Sequence, residues 1–186
     1  AFLNLGHEVV AVGNEDECKW NEQFNLVGIR YRQAFIQRNG TNPLKDLKTL
    51  KSLRKRLADE KPNKIFAYNA KTVIYGGIAA HKEKIPIYSL IAGLGSVFMG
   101  KGFKNKLIQK VLSIGYSKSL RNCENVFFQN KDDVKTFIEK KMVRENQIVM
   151  LHGSGVNLEK FTVQKLPDIF GFLYIGRLIR DKGIFE

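Results

Sequence analysis

The chain of 186 residues is short of several things, and each shortage narrows the reading. It has 4 prolines in all, and nothing in it is low-complexity, so long polar linkers and polyproline segments are excluded. Its 2 cysteines, Cys18 and Cys123, stand far apart and outside any metal-ligand spacing. A disulfide scaffold is thereby excluded, and a reducing compartment is the simple reading. Histidine is scarce at 3, and no His/Cys/Asp/Glu group has the spacing of a metal site. No apolar run approaches the roughly 20 residues of a membrane-spanning helix. Acid is also short, with 18 Asp and Glu against 31 Lys and Arg.

The resulting net charge of +13 favours an anionic partner, whether nucleic acid, an acidic membrane surface or a phosphorylated ligand. The excess is concentrated. Leu44 to Leu57 carries Lys45, Lys48, Lys51, Arg54, Lys55 and Arg56 against the single acid Asp46. Lys101 to Arg121 carries Lys101, Lys104, Lys106, Lys110, Lys118 and Arg121 with no acid. Hydrophobic residues make up 44%, enough for one domain with a full core. The opening AFLNLG reads as the last turn of a helix ending at Gly6, and RDKGIFE reads as a loop entering a new helix. The expectation is a segment of a longer protein.

Short apolar runs alternate with helical patterns. The expected strands are His7 to Gly13 (buried), Gly28 to Phe35 (an edge strand), Lys64 to Asn69, Ile85 to Ala92, Asn125 to Asn130 and Gln147 to Gly153. Between them, leucines 44, 47, 50, 53 and 57 line one face of a helix whose basic residues lie opposite. Thr72 to Lys84 reads as a helix in which Gly76-Gly77 permits close packing, and Phe103 to Leu120 as a basic amphipathic helix. Asn130 with Asp133 resembles a cap opening a helix from Lys131 to Lys141. This alternation predicts a doubly wound, mainly parallel, Rossmann-like α/β sheet. Its ligands belong at the carboxyl ends of the strands. Those ends are Asn14, Asn69, Gly93-Leu94-Gly95, Gln129-Asn130 and His152-Gly153-Ser154-Gly155.

One segment approaches a phosphate-binding pattern. Gly95 to Lys101 resembles the P-loop G-x-x-x-x-G-K-[ST], but Gly102 stands where the magnesium-binding hydroxyl belongs. The interior Ser96-Val97-Phe98-Met99 is also bulkier than such loops. Gly176-Arg177-Leu178 with Lys182-Gly183, where an apolar run meets a helix start, reads by itself equally as a solvated basic loop.

The order GLGSVF, VFFQNKDDVKTFI, HGSGVNLEKF, linker, FLYIGRLIRDKG resembles glycosyltransferase family 4. In particular it resembles bacterial enzymes that build capsular and other surface polysaccharides. The resemblance implies two Rossmann-like domains facing a cleft, the GT-B arrangement. Residues 1–161 would be the acceptor-side domain without its first strand, 162–170 a linker, and 171–186 the start of a truncated donor-binding domain. It implies a retaining sugar transfer from a nucleotide-sugar, a UDP-sugar at family level, to a polyprenyl-diphosphate-linked acceptor, with no metal cofactor. Arg177 and Lys182 would hold the donor diphosphate. Gly153, Ser154, Gly155 and Gly176 would supply cleft backbone, Phe161 would anchor the linker, and Gly93, Leu94 and Gly95 would form an acceptor-side loop. Relatives carry a histidine near that loop and this chain has none, so the catalytic group is unassigned. Lys101, Lys104, Lys106 and Lys110 would dock the domain on the anionic inner face of the cytoplasmic membrane, with the protein cytoplasmic and peripheral. The resemblance implies no nucleic-acid partner and little activity in the isolated segment. The alternatives are a basic module binding nucleic acid or membrane without catalysis, and a P-loop phosphotransferase.

Overall fold

The computed structural model describes residues 2–37, 40, 42–94, 98, 102–165, 168–176, 178 and 183–184, and for Lys104 the backbone only. The chain divides into two units, Ala1–Leu151 and His152–Glu186.

The first unit opens on a short 3₁₀ turn, Leu3–Leu5, closed by Gly6 in the left-handed conformation, as the opening residues suggest. Then follow β1 (Val10–Gly13), α1 (Glu17–Asn25), β2 (Arg30–Gln33), α2 (Pro43–Glu60) and β3 (Ile65–Tyr68). A π-helical turn, Thr72–Gly76, leads into α3 (Gly77–Glu83) and β4 (Ile87–Ile91). The unit ends with α4 (Phe103–Leu120), β5 (Cys123–Phe128), α5 (Lys131–Glu139), a 3₁₀ turn (Glu145–Gln147) and β6 (Ile148–Met150).

Local chemistry sets the helix starts. Asp16 caps α1 by accepting the Cys18 amide at 2.8 Å. Asn42 caps α2 by accepting the amides of Leu44 and Lys45, with Pro43 preset for the first turn. Asn130 accepts the Asp133 amide at 2.8 Å and its own amide group donates to the Asp133 carboxylate at 2.8 Å. The expected cap is therefore present, although α5 ends at Glu139 rather than Lys141.

All strand pairs are parallel, β1 with β2 and β3-β4-β5-β6 in chain order. The order 3-2-1-4-5-6 of a doubly wound sheet would place one more strand between β1 and β3. No described residue occupies that place, so β1 and β3 each keep one unpaired edge among the described residues. The expected buried strand at 7–13 is accordingly a half-exposed one, with Val12 open to solvent, because it has a neighbour on one side only.

The core lies where the larger sheet meets its helices. Ile87, Val126, Phe128, Leu120, Phe137 and Met142 are fully buried, and the Phe137 ring meets those of Tyr116 and Phe128 edge-on at 5.1 Å each. The close packing expected of the glycine pair is carried by Gly77 alone: a Cβ there would sit 2.1 Å from the Ser119 hydroxyl, whereas one on Gly76 would meet nothing. The smaller sheet is held differently. Arg32 bridges Glu17 at the start of α1 and Glu60 at the end of α2, at 3.0 and 2.6 Å, and Phe24 stacks on Tyr31. Of the leucine row in α2, Leu53 is buried and Leu50 and Leu57 are half-buried, while Leu44 and Leu47 stay exposed.

The second unit contains no helix or strand among its described residues. The apolar run 171–176, which the sequence presents as a strand, has no pairing partner there.

Candidate functional site

Parallel strands place all their carboxyl ends on one edge, and in the larger sheet the ends of β3, β4 and β5 are in register. The residues that leave this edge are Asn69, Ala92-Gly93-Leu94 and Gln129-Asn130. β3 leads into the π-helical turn, β4 precedes α4 and β5 leads into α5, so each strand is followed in the chain by a helical segment. Asn69 takes the left-handed conformation (φ 73°), and its carbonyl accepts the Val73 amide at 2.9 Å and the Thr72 hydroxyl at 3.0 Å. That kink opens the π-helical turn, a departure from α geometry that often accompanies functional sites.

The expected acceptor-side loop begins at this edge. Gly93 has φ 151°, a conformation that favours glycine, and Leu94 is half-buried against the core cluster. Gly95, with most of the loop to Lys101, lies outside the described residues, as do the three cations of the P-loop and diphosphate readings, Lys101 for the first and Arg177 and Lys182 for the second. Gly102 enters α4 at φ 105° with no side-chain cap.

Asp46, Lys71 and Tyr75 form a polar cluster at the same edge that sequence reasoning passed over. Asp46 lies in the first turn of α2, and Lys71 and Tyr75 lie just beyond β3. The Lys71 ammonium is ion-paired with Asp46, and both side chains are mostly buried. Lys71 also sits 5.6 Å from the centre of the Tyr75 ring. Burial pushes the Tyr75 phenol up to about 12, helped by its hydrogen bond to Asp46 and by that carboxylate's charge. The cluster holds a neutral phenol and a compensated charge pair beside the strand ends and ties α2 to the π-helical turn. In sequence Asp46 is one acid in a basic helix, 25 residues from Lys71, and only the folded chain brings them together.

In the second unit Gly153 and Gly155 take φ 104° and 70°, so both need glycine. Ser154 between them is exposed, and so is His152. A turn follows in which the Asn157 side chain accepts the amides of Glu159 and Lys160 at 2.9 and 3.0 Å. Phe161, expected to anchor the linker, is largely exposed. A Cβ on Gly176 would approach the Tyr174 hydroxyl to 2.9 Å. Lys106 and Lys110 stand exposed on α4. Among the described residues no three His, Cys, Asp or Glu side chains converge as metal ligands, and no helix is long and apolar enough to cross a membrane.

No family model matches the chain. Among curated proteins, the N,N'-diacetylbacillosaminyl-diphospho-undecaprenol alpha-1,3-N-acetylgalactosaminyltransferase of Campylobacter jejuni is 28% identical over 204 residues, covering 100% of this chain and 53% of that protein. The UDP-N-acetylglucosamine–N-acetylmuramyl-(pentapeptide) pyrophosphoryl-undecaprenol N-acetylglucosamine transferase of Clostridium tetani is 31% identical over 93 residues, 46% of this chain and 26% of that one. In the crystal structure of Acinetobacter baumannii MurG the same fold recurs at a TM-score of 0.50 and 16% identity, over 86% of this chain and 40% of that one. The chain thus spans about half the length of the first relative and about a quarter of the second. The expected Rossmann-like α/β fold is the fold observed, and the relatives are bacterial glycosyltransferases named for undecaprenol-linked acceptors.

Proposed function

We propose that this chain is the acceptor-side part of a glycosyltransferase that moves a sugar from a nucleotide-sugar to a polyprenyl-diphosphate-linked glycan in surface polysaccharide assembly. The observation that carries the reading is the similarity to the Campylobacter transferase along the whole chain. The parallel sheet, with its strand ends and helix starts gathered on one edge, supports it as a platform for an anionic or polar ligand.

The donor is a UDP-sugar, and the transfer proceeds with retention. The Campylobacter relative, named for an α-linked product, fits that course, since nucleotide-sugars of this kind are themselves α-linked. Arg177 and Lys182 bind the donor diphosphate as it becomes the leaving group, two cations taking the place of a metal. Gly153, Ser154, Gly155 and Gly176 offer backbone at the meeting point of donor and acceptor, and Gly93, Leu94 and Gly95 border the acceptor. No metal takes part. A lipid-linked acceptor puts the enzyme on the cytoplasmic face of the membrane, with α4 and its lysines 101, 104, 106 and 110 toward the lipid.

The test is transfer of radiolabelled sugar from a UDP-sugar panel to a short-chain polyprenyl-diphospho-saccharide in detergent, with EDTA present, by the full-length protein. Product is expected, together with a loss of at least about 100-fold in Arg177→Ala. No transfer with any UDP-sugar, or full activity in both Arg177→Ala and Lys182→Ala, would overturn the reading. The 186-residue chain alone is expected to transfer nothing.

A further inference from the structure

The Asp46–Lys71–Tyr75 cluster carries more polar capacity than fastening α2 to the π-helical turn requires. A carboxylate offers about four acceptor sites and an ammonium three donors. Asp46 accepts from the Lys71 ammonium and from the Tyr75 hydroxyl, and Lys71 gives Asp46 one of its protons. Among the described residues no further hydrogen bond or ion pair reaches either charged group. Donors of Lys71 therefore stand beside acceptor sites of Asp46, on side chains that keep 17% and 16% of their surface open.

Packing already does the fastening. Leu50, Leu53 and Leu57 of α2 share one apolar cluster with Tyr75. A largely buried ion pair adds little to that, because its desolvation cancels most of the attraction and an apolar pair of similar volume is commonly as stable. Its position is the carboxyl edge of the sheet, where α2 begins and β3 ends. Asn69, the residue after β3, is exposed there, and its side-chain amide bonds to no described residue. β3 and β4 end in register, Tyr68 opposite Leu90, so Asn69 stands beside the start of the Ala92–Leu94 loop.

We propose that Asp46 and Lys71 recognise two neighbouring hydroxyls of the acceptor's sugar, one hydroxyl donating to the carboxylate and the other accepting from the ammonium. Both are then specificity-determining residues, and Tyr75, bonded to the carboxylate, is a positioning residue. Charge and hydrogen-bonding sense select the ligand. The pair is neutral overall and offers donor and acceptor side by side, which matches hydroxyls that can do both. A phosphate brings acceptors only, and its charge would face the Asp46 carboxylate. A cationic ligand would face Lys71. The inference rests on the transferase reading for calling this sugar the acceptor's, and it names side chains where that reading had only the backbone of a loop.

The experiment uses the full-length protein and two readouts. The first is saturation-transfer NMR with the methyl glycosides of glucose, N-acetylglucosamine and N-acetylgalactosamine, their monodeoxy analogues, and inorganic pyrophosphate. At least one glycoside is expected to bind, and loss of a recognised hydroxyl should weaken it by about tenfold or more. The second is the KM of acceptor and of donor in the transfer assay. Asp46→Leu/Lys71→Met replaces the pair by apolar side chains of similar size and should melt like the parent protein. It should weaken glycoside binding and raise the acceptor KM by about tenfold or more, with donor KM and pyrophosphate binding changed less than about twofold. Asp46→Asn/Lys71→Met, which keeps an acceptor for the Tyr75 hydroxyl, carries the same expectation should the first variant fold poorly. A pair that only fastens α2 would leave glycoside binding and acceptor KM unchanged in a folded variant. That result overturns the proposal, as does the absence of any glycoside binding to the parent protein. Loss of pyrophosphate binding with glycoside binding intact would make the pair an anion site and also overturns it. If no sugar is transferred but glycosides bind and the variants lose them, the transferase reading falls and the subsite stands. If transfer occurs and the variants leave the acceptor KM unmoved, the subsite falls and the transferase reading stands.

Discussion

Two stretches of this chain are nearly the same in character and opposite in fate. Residues 123–128, Cys-Glu-Asn-Val-Phe-Phe, form β5, and residues 171–176, Gly-Phe-Leu-Tyr-Ile-Gly, form no strand. Phe128 is 0% exposed and Phe172 is 94% exposed. β5 has β4 on one side and β6 on the other, with Phe137 of α5 packed edge-on against Phe128. The run at 171–176 has no neighbouring strand among the described residues. A strand is a property of a pair of segments: its hydrogen bonds and buried face come from neighbours, and its own sequence only makes it eligible. The smaller sheet stands between these extremes. β1 and β2 pair with each other, yet β1 keeps a free edge, and the pair is pinned to α1 and α2 by the Arg32 ion pairs and the Phe24–Tyr31 stack.

The contrast can be tested most severely by removing the two aromatic anchors in turn. Phe137→Ala, which empties the space between Tyr116 and Phe128, should destabilise the first unit by about 3–5 kcal/mol in urea unfolding. Phe172→Ala in this chain should change it by less than about 0.5 kcal/mol. Comparable losses would mean that 171–176 is packed in solution. A second pair compares adjacent glycines. Gly77→Ala drives a methyl into Ser119 and should cost about 1–3 kcal/mol, while Gly76→Ala, in open space with helical dihedrals, should be neutral or gain up to about 1 kcal/mol. Equal effects would show that the α3–α4 contact is looser than described. The α5 cap comes next: Asn130→Ala should cost about 1 kcal/mol in the same assay.

The last effect is a pH dependence confined to alkaline solution. Burial, and then the Asp133 charge, raise the Tyr116 phenol from 10.0 to about 12. An acid whose folded pKa is raised contributes its full stability below the unfolded pKa and loses it as pH rises through the folded one. Unfolding midpoints should therefore fall between about pH 10 and 12, and Tyr116→Phe should flatten part of that fall, with Tyr75 and the Cys123 thiol, which burial also raises, contributing to the rest. A profile unchanged by the substitution would place the Tyr116 hydroxyl in water.

Much of the fold was legible because its signals are local. The leucine spacing of α2, the Asn130 cap, the span Phe103–Leu120 and the apolar runs of β3 to β5 depend on residues within one or two turns of each other. The candidate site was legible in position more than in composition. The strand-end rule led to Asn69, Gly93 and Asn130, but Asp46 and its partners Lys71 and Tyr75 come from separate elements and share no sequence pattern. Gln147 is a similar case: buried, it donates to the carbonyls of Leu120 and Cys123 and closes the bottom of β5, and nothing in its sequence neighbourhood announces it.

By itself, then, the sequence determined the alternation of elements, where the helices start, the parallel α/β class and the concentration of positive charge, all of which follow from short-range periodicity and backbone chemistry. The tertiary structure decided which apolar runs become strands, which face of α4 is left to the solvent, and which charged side chains pair. Those outcomes depend on partners distant in the chain, and burial and electrostatics are properties of what surrounds a residue rather than of the residue alone.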